Sequence, residues 1–122
     1  MNEKKNFRRG DVVLARFPYI TDNSISKERP VVIIQNDMGN RFSSNLIVAS
    51  ISSSTPDREY PFHFGIWMDS PEAKGTGIDR DSIVHTEIIF TIPKADVIKL
   101  IGRFSVDAMR QIDACLRVSL DL

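Results

Sequence analysis

The apolar residues of this chain arrive in short β-rich runs, and only the last segment repeats at helical spacing. Val12 to Phe17 reads Val-Val-Leu-Ala-Arg-Phe, β-branched and half alternating. Pro18 ends that run, because proline cannot donate to a ladder. Residues 19–29 are polar and weakly periodic, which predicts a long loop, a kind of segment that often carries function. Pro30-Val31-Val32-Ile33-Ile34-Gln35 is a continuous apolar strand, expected to be buried on both faces. Asn36 to Ser44 is a turn-rich crossover with room for one helical turn. Further strands are expected at Leu46–Ile51, Tyr60–Met68, Ile83–Ile92 and Val97–Phe104, with Gly102 as a bulge candidate in the last. Ser105 then suits a helix N-cap and Asp107 the first turn, before Met109, Ile112, Leu116 and Leu120 recur on one face. Six short strands and a single C-terminal helix predict a small, strongly bent antiparallel sheet or partly open barrel. The lack of a helix after every strand argues against a doubly wound fold.

A length of 122 residues suits one domain, 1–122. Sixteen Lys and Arg balance sixteen Asp and Glu, which excludes a protein that grips polyanions by bulk charge. The balance is uneven along the chain. Up to Tyr60 there are nine basic residues against seven acidic, and beyond it seven against nine. A short basic groove is therefore compatible with neutrality. Cys115 is the only cysteine, so no intrachain disulfide can form; its place near the apolar stripe of the helix predicts a buried, inert thiol. The longest apolar run, Pro30 to Ile34, falls far short of the ~18 residues of a membrane span. The charged N-terminal segment has no apolar stretch behind it, so a signal peptide is not expected and the cytoplasm is the expected location.

Several chemistries lack their residues. Gly75-Thr76-Gly77 has neither the spacing nor the following helix of a phosphate-cradling loop, and there is no nucleophile elbow. His63 and His85 are far apart in sequence and no cysteine pair exists, so a zinc site is not expected and no metal ligand is assigned. The informative order is Lys27-Glu28-Arg29-Pro30, a buried strand, a crossover, then a strand running into Ser52-Ser53-Ser54-Thr55. If the two strands are neighbours, a guanidinium and a run of hydroxyls meet at one end of the sheet, a natural clamp for phosphate or carboxylate. Spacing alone favours an ordinary surface arginine and a polar turn.

The residues carry more than their spacing. Arg9-Gly10-Asp11-Val12, Phe17-Pro18 and Arg29-Pro30-Val31-Val32-Ile33-Ile34-Gln35-Asn36-Asp37 closely resemble the MazF/PemK family of toxin endoribonucleases. Gly39-Asn40-Arg41-Phe42-Ser43, Ile47-Val48-Ala49, Ile51-Ser52, Asp79-Arg80-Asp81-Ser82 and Thr91-Ile92 continue the match in order. The resemblance implies the small Src-homology-3-like barrel of the PemK/CcdB plasmid-maintenance toxins. It implies metal- and cofactor-independent cleavage of single-stranded RNA at short motifs, usually in mRNA. The products would be a 2′,3′-cyclic phosphate and a 5′-hydroxyl. Such a protein would act as a homodimer, held inactive by an antitoxin whose acidic or disordered tail covers the RNA groove.

By the same resemblance the catalytic arginine falls on Arg29 and the catalytic hydroxyl on Ser52, where relatives carry threonine. Serine keeps the donor and loses the methyl that stiffens χ1. Arg29 would stabilise charge on the phosphorane, with general acid as a second role that its high pKa opposes. RNA-binding positions implied in the same way are Phe17, Lys27, Glu28, Arg41, Ser53, Ser54 and Glu87. One departure stands out. Where many relatives read Glu-Gln-Ile-Arg, this chain reads Glu87-Ile88-Ile89-Phe90. Phe90 would then either stack on a base or pack in the core. The competing class is a non-catalytic toxin or binding protein on the same barrel, such as a gyrase inhibitor, which has no need of an Arg29–Ser52 pair.

Overall fold

The computed structural model describes residues 6–17, 27–53 and 58–122, with the backbone alone at Lys27. The elements run β1 (Asp11–Phe17), β2 (Lys27–Ile33), α1 (Asp37–Phe42), β3 (Asn45–Ser52), β4 (His63–Ile66), β5 (Ser82–Pro93), β6 (Val97–Arg103) and α2 (Val106–Leu120). Single 3-10 turns lie at Pro71–Ala73 and Lys94–Asp96. The strands form one antiparallel sheet in the order β4-β5-β3-β2-β1-β6. None of the helices among the described residues is long and apolar enough to cross a membrane.

Alternation along the strands builds two cores. On one face Val12, Val32, Ala49, Ile51, Ile66 and Val84 are covered by Ala108, Ile112, Cys115 and Leu116 of α2. On the other, Val13, Ala15, Phe17, Val31, Ile33, Val48 and Ile92 form a second buried cluster fed by five strands and no helix. Apolar side chains stay dry there only if the sheet itself bends round them. Phe17 of β1 and Phe90 of β5 show the bend directly. Two strands separate theirs in the sheet, a span of roughly 14 Å if it were flat, yet their ring centroids are 5.2 Å apart.

The expected strand at Pro30–Gln35 begins earlier and ends sooner, so Lys27, Glu28 and Arg29 are strand rather than loop. Pro30 is tolerated inside β2 because pairing with β3 starts only at Val31, leaving that side of the proline outside the ladder. The expected Tyr60–Met68 strand shrinks to four residues. Gly102 does sit at a register shift: Val12 pairs with Gly102 but Val13 with Leu100, which leaves Ile101 as the extra residue. A Cβ on Gly102 would strike the backbone of Thr76, so the loop after the first 3-10 turn packs directly on β6.

Ser105 caps α2, its hydroxyl accepting from the Ala108 N–H, and Asn36 caps α1 by accepting from Gly39. The apolar stripe of α2 is buried at Ile112 and Leu116 but not at Leu120, which is half exposed in the last turn. Cys115 is buried, and desolvation pushes its thiol pKa up. Arg9, part of the basic excess in the first half, is committed to structure: its Nε donates to the Ile34 carbonyl and its guanidinium meets Asp113 of α2 at 2.7 Å.

Candidate active site

Arg29 and Ser52 lie just beyond the paired stretch of β2 and β3. Val31 pairs with Ser50 and Ile33 with Val48 in an antiparallel ladder. Continuing that register by two residues sets Arg29 opposite Ser52, with both side chains on the face of the second core. The ladder with β1 anchors Arg29 from the other side, opposite Ala15. Arg29 is half-buried, and its Nε is fully buried with no hydrogen-bond partner among the described residues. A buried donor left without an acceptor costs free energy, which an incoming anion would recover. Guanidinium and hydroxyl on adjacent strands of a rigid sheet are placed to hold phosphate oxygens together.

Other expected site residues divide by position. Phe17 is buried beneath the same face and packs on Phe90, while the Phe90 ring stays 37% exposed. Phe90 thus packs on the second core through Phe17 while part of its surface stays exposed. Ser53 is exposed at the bend just after β3, close in sequence to Ser52. The side chain of Lys27, and all of Ser54, lie outside the described residues. Glu28 falls on the opposite face from Arg29 by strand alternation and stands across from Arg16 of β1. Arg41 lies in the last turn of α1, its guanidinium 5.2 Å above the Phe42 ring. That helix leads into the Asn45 end of β3, roughly 23 Å of strand from Ser52. The structure therefore does not bring Glu28 or Arg41 to the Arg29–Ser52 pair.

Glu87 is joined by two residues that the sequence did not connect to the site. His63 of β4 and His85 of β5 are direct register partners, with ring centroids 4.5 Å apart at 74°. His63 Nε2 lies 2.9 Å and His85 Nδ1 3.3 Å from the same Glu87 Oε2. Burial opposes ionisation of Glu87, but hydrogen bonds from His63, from its own backbone and from His85 outweigh it and hold the carboxyl below its usual range. His85 also pairs with Ser50, so Arg29, Ser52, Ser50, His85 and His63 share one face across four neighbouring strands. The only sequence signal for this cluster was His85 and Glu87 at i, i+2 in a strand; the partnership with His63 is set by sheet pairing.

Known proteins share this fold. A family model described as the PemK-like, MazF-like toxin of type II toxin–antitoxin systems matches residues 8–120. Endoribonuclease EndoA of Bacillus subtilis (strain 168) is 36% identical over 115 residues, covering 94% of this chain and 95% of that protein. Among solved structures, an endoribonuclease from a mycobacterial species superposes with a TM-score of 0.74 at 18% identity, over 97% of this chain and 94% of that one. The MazE–MazF complex of Deinococcus radiodurans (Form-II) gives 0.74 at 12% identity, over 98% and 99%. These structures share the fold, and the family match carries the assignment: the chain belongs to the PemK-like, MazF-like toxins of type II toxin–antitoxin systems.

Proposed function

We propose that this chain is the toxin of a type II toxin–antitoxin pair and an endoribonuclease that cuts single-stranded RNA, chiefly mRNA, at short sequence motifs. The observation that carries the reading is the register of β2 and β3, whose continuation by two residues would set Arg29 opposite Ser52, together with a buried Arg29 Nε that has no hydrogen-bond partner among the described residues. Family membership and 36% identity to an endoribonuclease support it.

The chemistry needs little machinery. The ribose 2′-hydroxyl gives up its proton to solvent as its oxygen attacks the adjacent phosphorus, the bond to the 5′-oxygen breaks, and that oxygen takes a proton from solvent, which leaves a 2′,3′-cyclic phosphate and a 5′-hydroxyl. Negative charge builds on the non-bridging oxygens of the phosphorane. Arg29 reaches two of them with its fork, and Ser52 donates a third hydrogen bond. Holding the 2′-hydroxyl in line supplies much of the remaining acceleration. The Phe90 side chain, partly exposed on the same sheet face, offers a surface for a base. No metal enters this reaction.

The single domain 1–122 acts in the cytoplasm, as a homodimer, and is silenced by an antitoxin segment that is acidic or disordered. The relatives include a mycobacterial endoribonuclease solved with its cognate antitoxin and the Deinococcus MazE–MazF complex. The test is incubation of the purified protein with a long mixed-sequence RNA in EDTA, followed by mapping of the ends. Cleavage at a recurring motif with cyclic-phosphate ends is expected; intact RNA at micromolar protein overturns the reading.

A further inference from the structure

We propose that His63, His85 and Glu87 form a binding site for one zinc-class divalent cation on the sheet face that carries Ser50 and Ser52. The three ligand atoms already converge: one oxygen and two ring nitrogens lie within 4.8 Å of one another. Glu87 Oε2 is 2.9 Å from His63 Nε2 and 3.3 Å from His85 Nδ1. Ligand atoms bound tetrahedrally at about 2.0–2.2 Å from one ion sit roughly 3.4 Å apart. Two edges of the triangle are thus near their bound length, and small side-chain rotations close the third.

The scaffold favours such a site. His63 and His85 face each other across an antiparallel pair, and Glu87 follows His85 by two residues in the same strand. The His63 ring is wedged by edge-on contacts with Tyr60 at 5.3 Å and Phe62 at 4.8 Å, so it is held in place before any ion arrives. Both histidine side chains are largely buried, while Glu87 is 37% exposed and gives the ion a way in. The other His63 nitrogen, Nδ1, is buried without a partner among the described residues.

Ligand chemistry selects the ion. Two imidazoles and one carboxylate suit zinc and its neighbours, not magnesium or calcium, which take oxygen ligands. Three protein ligands leave a fourth position for water or a phosphate oxygen. The ion also ties the edge strand β4 to β5, which stabilises the folded chain by linkage. It has no part in the cleavage proposed above, which is expected to proceed in EDTA, so the two readings stand or fall separately.

The test is calorimetric titration of the untagged full chain with zinc chloride, alongside thermal melting. One ion per chain and a Tm that rises with zinc are expected, with magnesium giving neither. His85→Leu is expected to weaken binding by about 100-fold or more, and Glu87→Gln by about 10- to 100-fold. Zinc binding that is absent in the wild type, or unchanged in both variants, overturns the site. Cobalt titration of the wild type gives a reading that needs no variant: intense visible absorption of a four-coordinate site is expected, and only the weak bands of aqueous cobalt would overturn it.

Discussion

Phe17 and Phe90 touch across a sheet in which β2 and β3 separate their strands, with ring centroids 5.2 Å apart and planes tilted by 57°. The contact closes the bent face and leaves the outer side of Phe90 open. A base stacked on that side would contribute about 1–3 kcal/mol, so Phe90→Ala is expected to weaken RNA binding by about 5- to 150-fold. The loss should be nearly independent of salt, because stacking releases no counterions. Fluorescence anisotropy of a short RNA at two salt concentrations measures both. An unchanged Kd would confine Phe90 to packing, with a cost seen only in the melting temperature.

Arg29 and Ser52 give a prediction about activity without stability. Removing one preorganised donor from an oxyanion site costs about 10²–10³ in kcat, and that loss is expected for Arg29→Ala and for Ser52→Ala. Arg29→Lys should not restore it, because an ammonium lacks the planar fork. Ser52→Thr should retain activity, since it keeps the hydroxyl and stiffens χ1. Single-turnover cleavage with melting curves in parallel separates the outcomes. A fully active Ser52→Ala enzyme would move the hydroxyl role to a neighbour such as Ser53.

Legibility in the sequence followed locality. Ser105 as the cap of α2 and the bulge at Gly102 were readable, because each depends on a few adjacent residues. The start of β2 was not, since Pro30 reads as a strand boundary; β1 recruits Lys27, Glu28 and Arg29 into the ladder by pairing. Arg29 and Ser52 could be singled out, but their meeting rested on the neighbour order of two strands. His63 and His85 are 22 residues apart, and nothing local announces that β4 and β5 set them opposite each other. Arg9 counts toward the basic excess of the first half, yet Ile34 and Asp113 hold it in place.

Asp11 is buried, and its carboxylate accepts from Arg103 Nε at 2.7 Å and from the Arg8 N–H at 2.9 Å. The arginine is half exposed and joins β6 to β1. Deleting it strands a buried charge, a change that costs about 3–5 kcal/mol when the pair is fully buried. With one partner half in water, Arg103→Ala is expected to lower unfolding free energy by about 2–3 kcal/mol. Urea denaturation should show a lower midpoint with an unchanged slope. Asp11→Asn combined with Arg103→Ala should cost less than the two single changes together, as coupled partners do. Simple additivity would mean that the ion pair contributes little.

Asp37 opens α1 and gives the fold an acid-dependent joint. The Arg9 backbone N–H donates to its Oδ1 at 2.7 Å and Asn40 Nδ2 at 3.2 Å. The Arg9 hydrogen bond is the largest influence and outweighs a small desolvation penalty; Asn40 and the charges of Arg8 and Arg9 add to it, so the carboxyl sits below its ordinary 3.8. A group whose folded pKa is depressed contributes stability above its unfolded pKa, and loses it as pH falls through the folded value. Asp37→Asn keeps an acceptor for the Arg9 N–H but cannot ionise. The wild type is therefore expected to melt above the variant near neutral pH, and the gap should close as pH falls through the depressed carboxyl pKa, below the ordinary carboxylate range. Because Asp37 is exposed, added salt should narrow the gap at neutral pH. A gap that is constant across this range would place the contribution of Asp37 in helix capping geometry rather than in its charge.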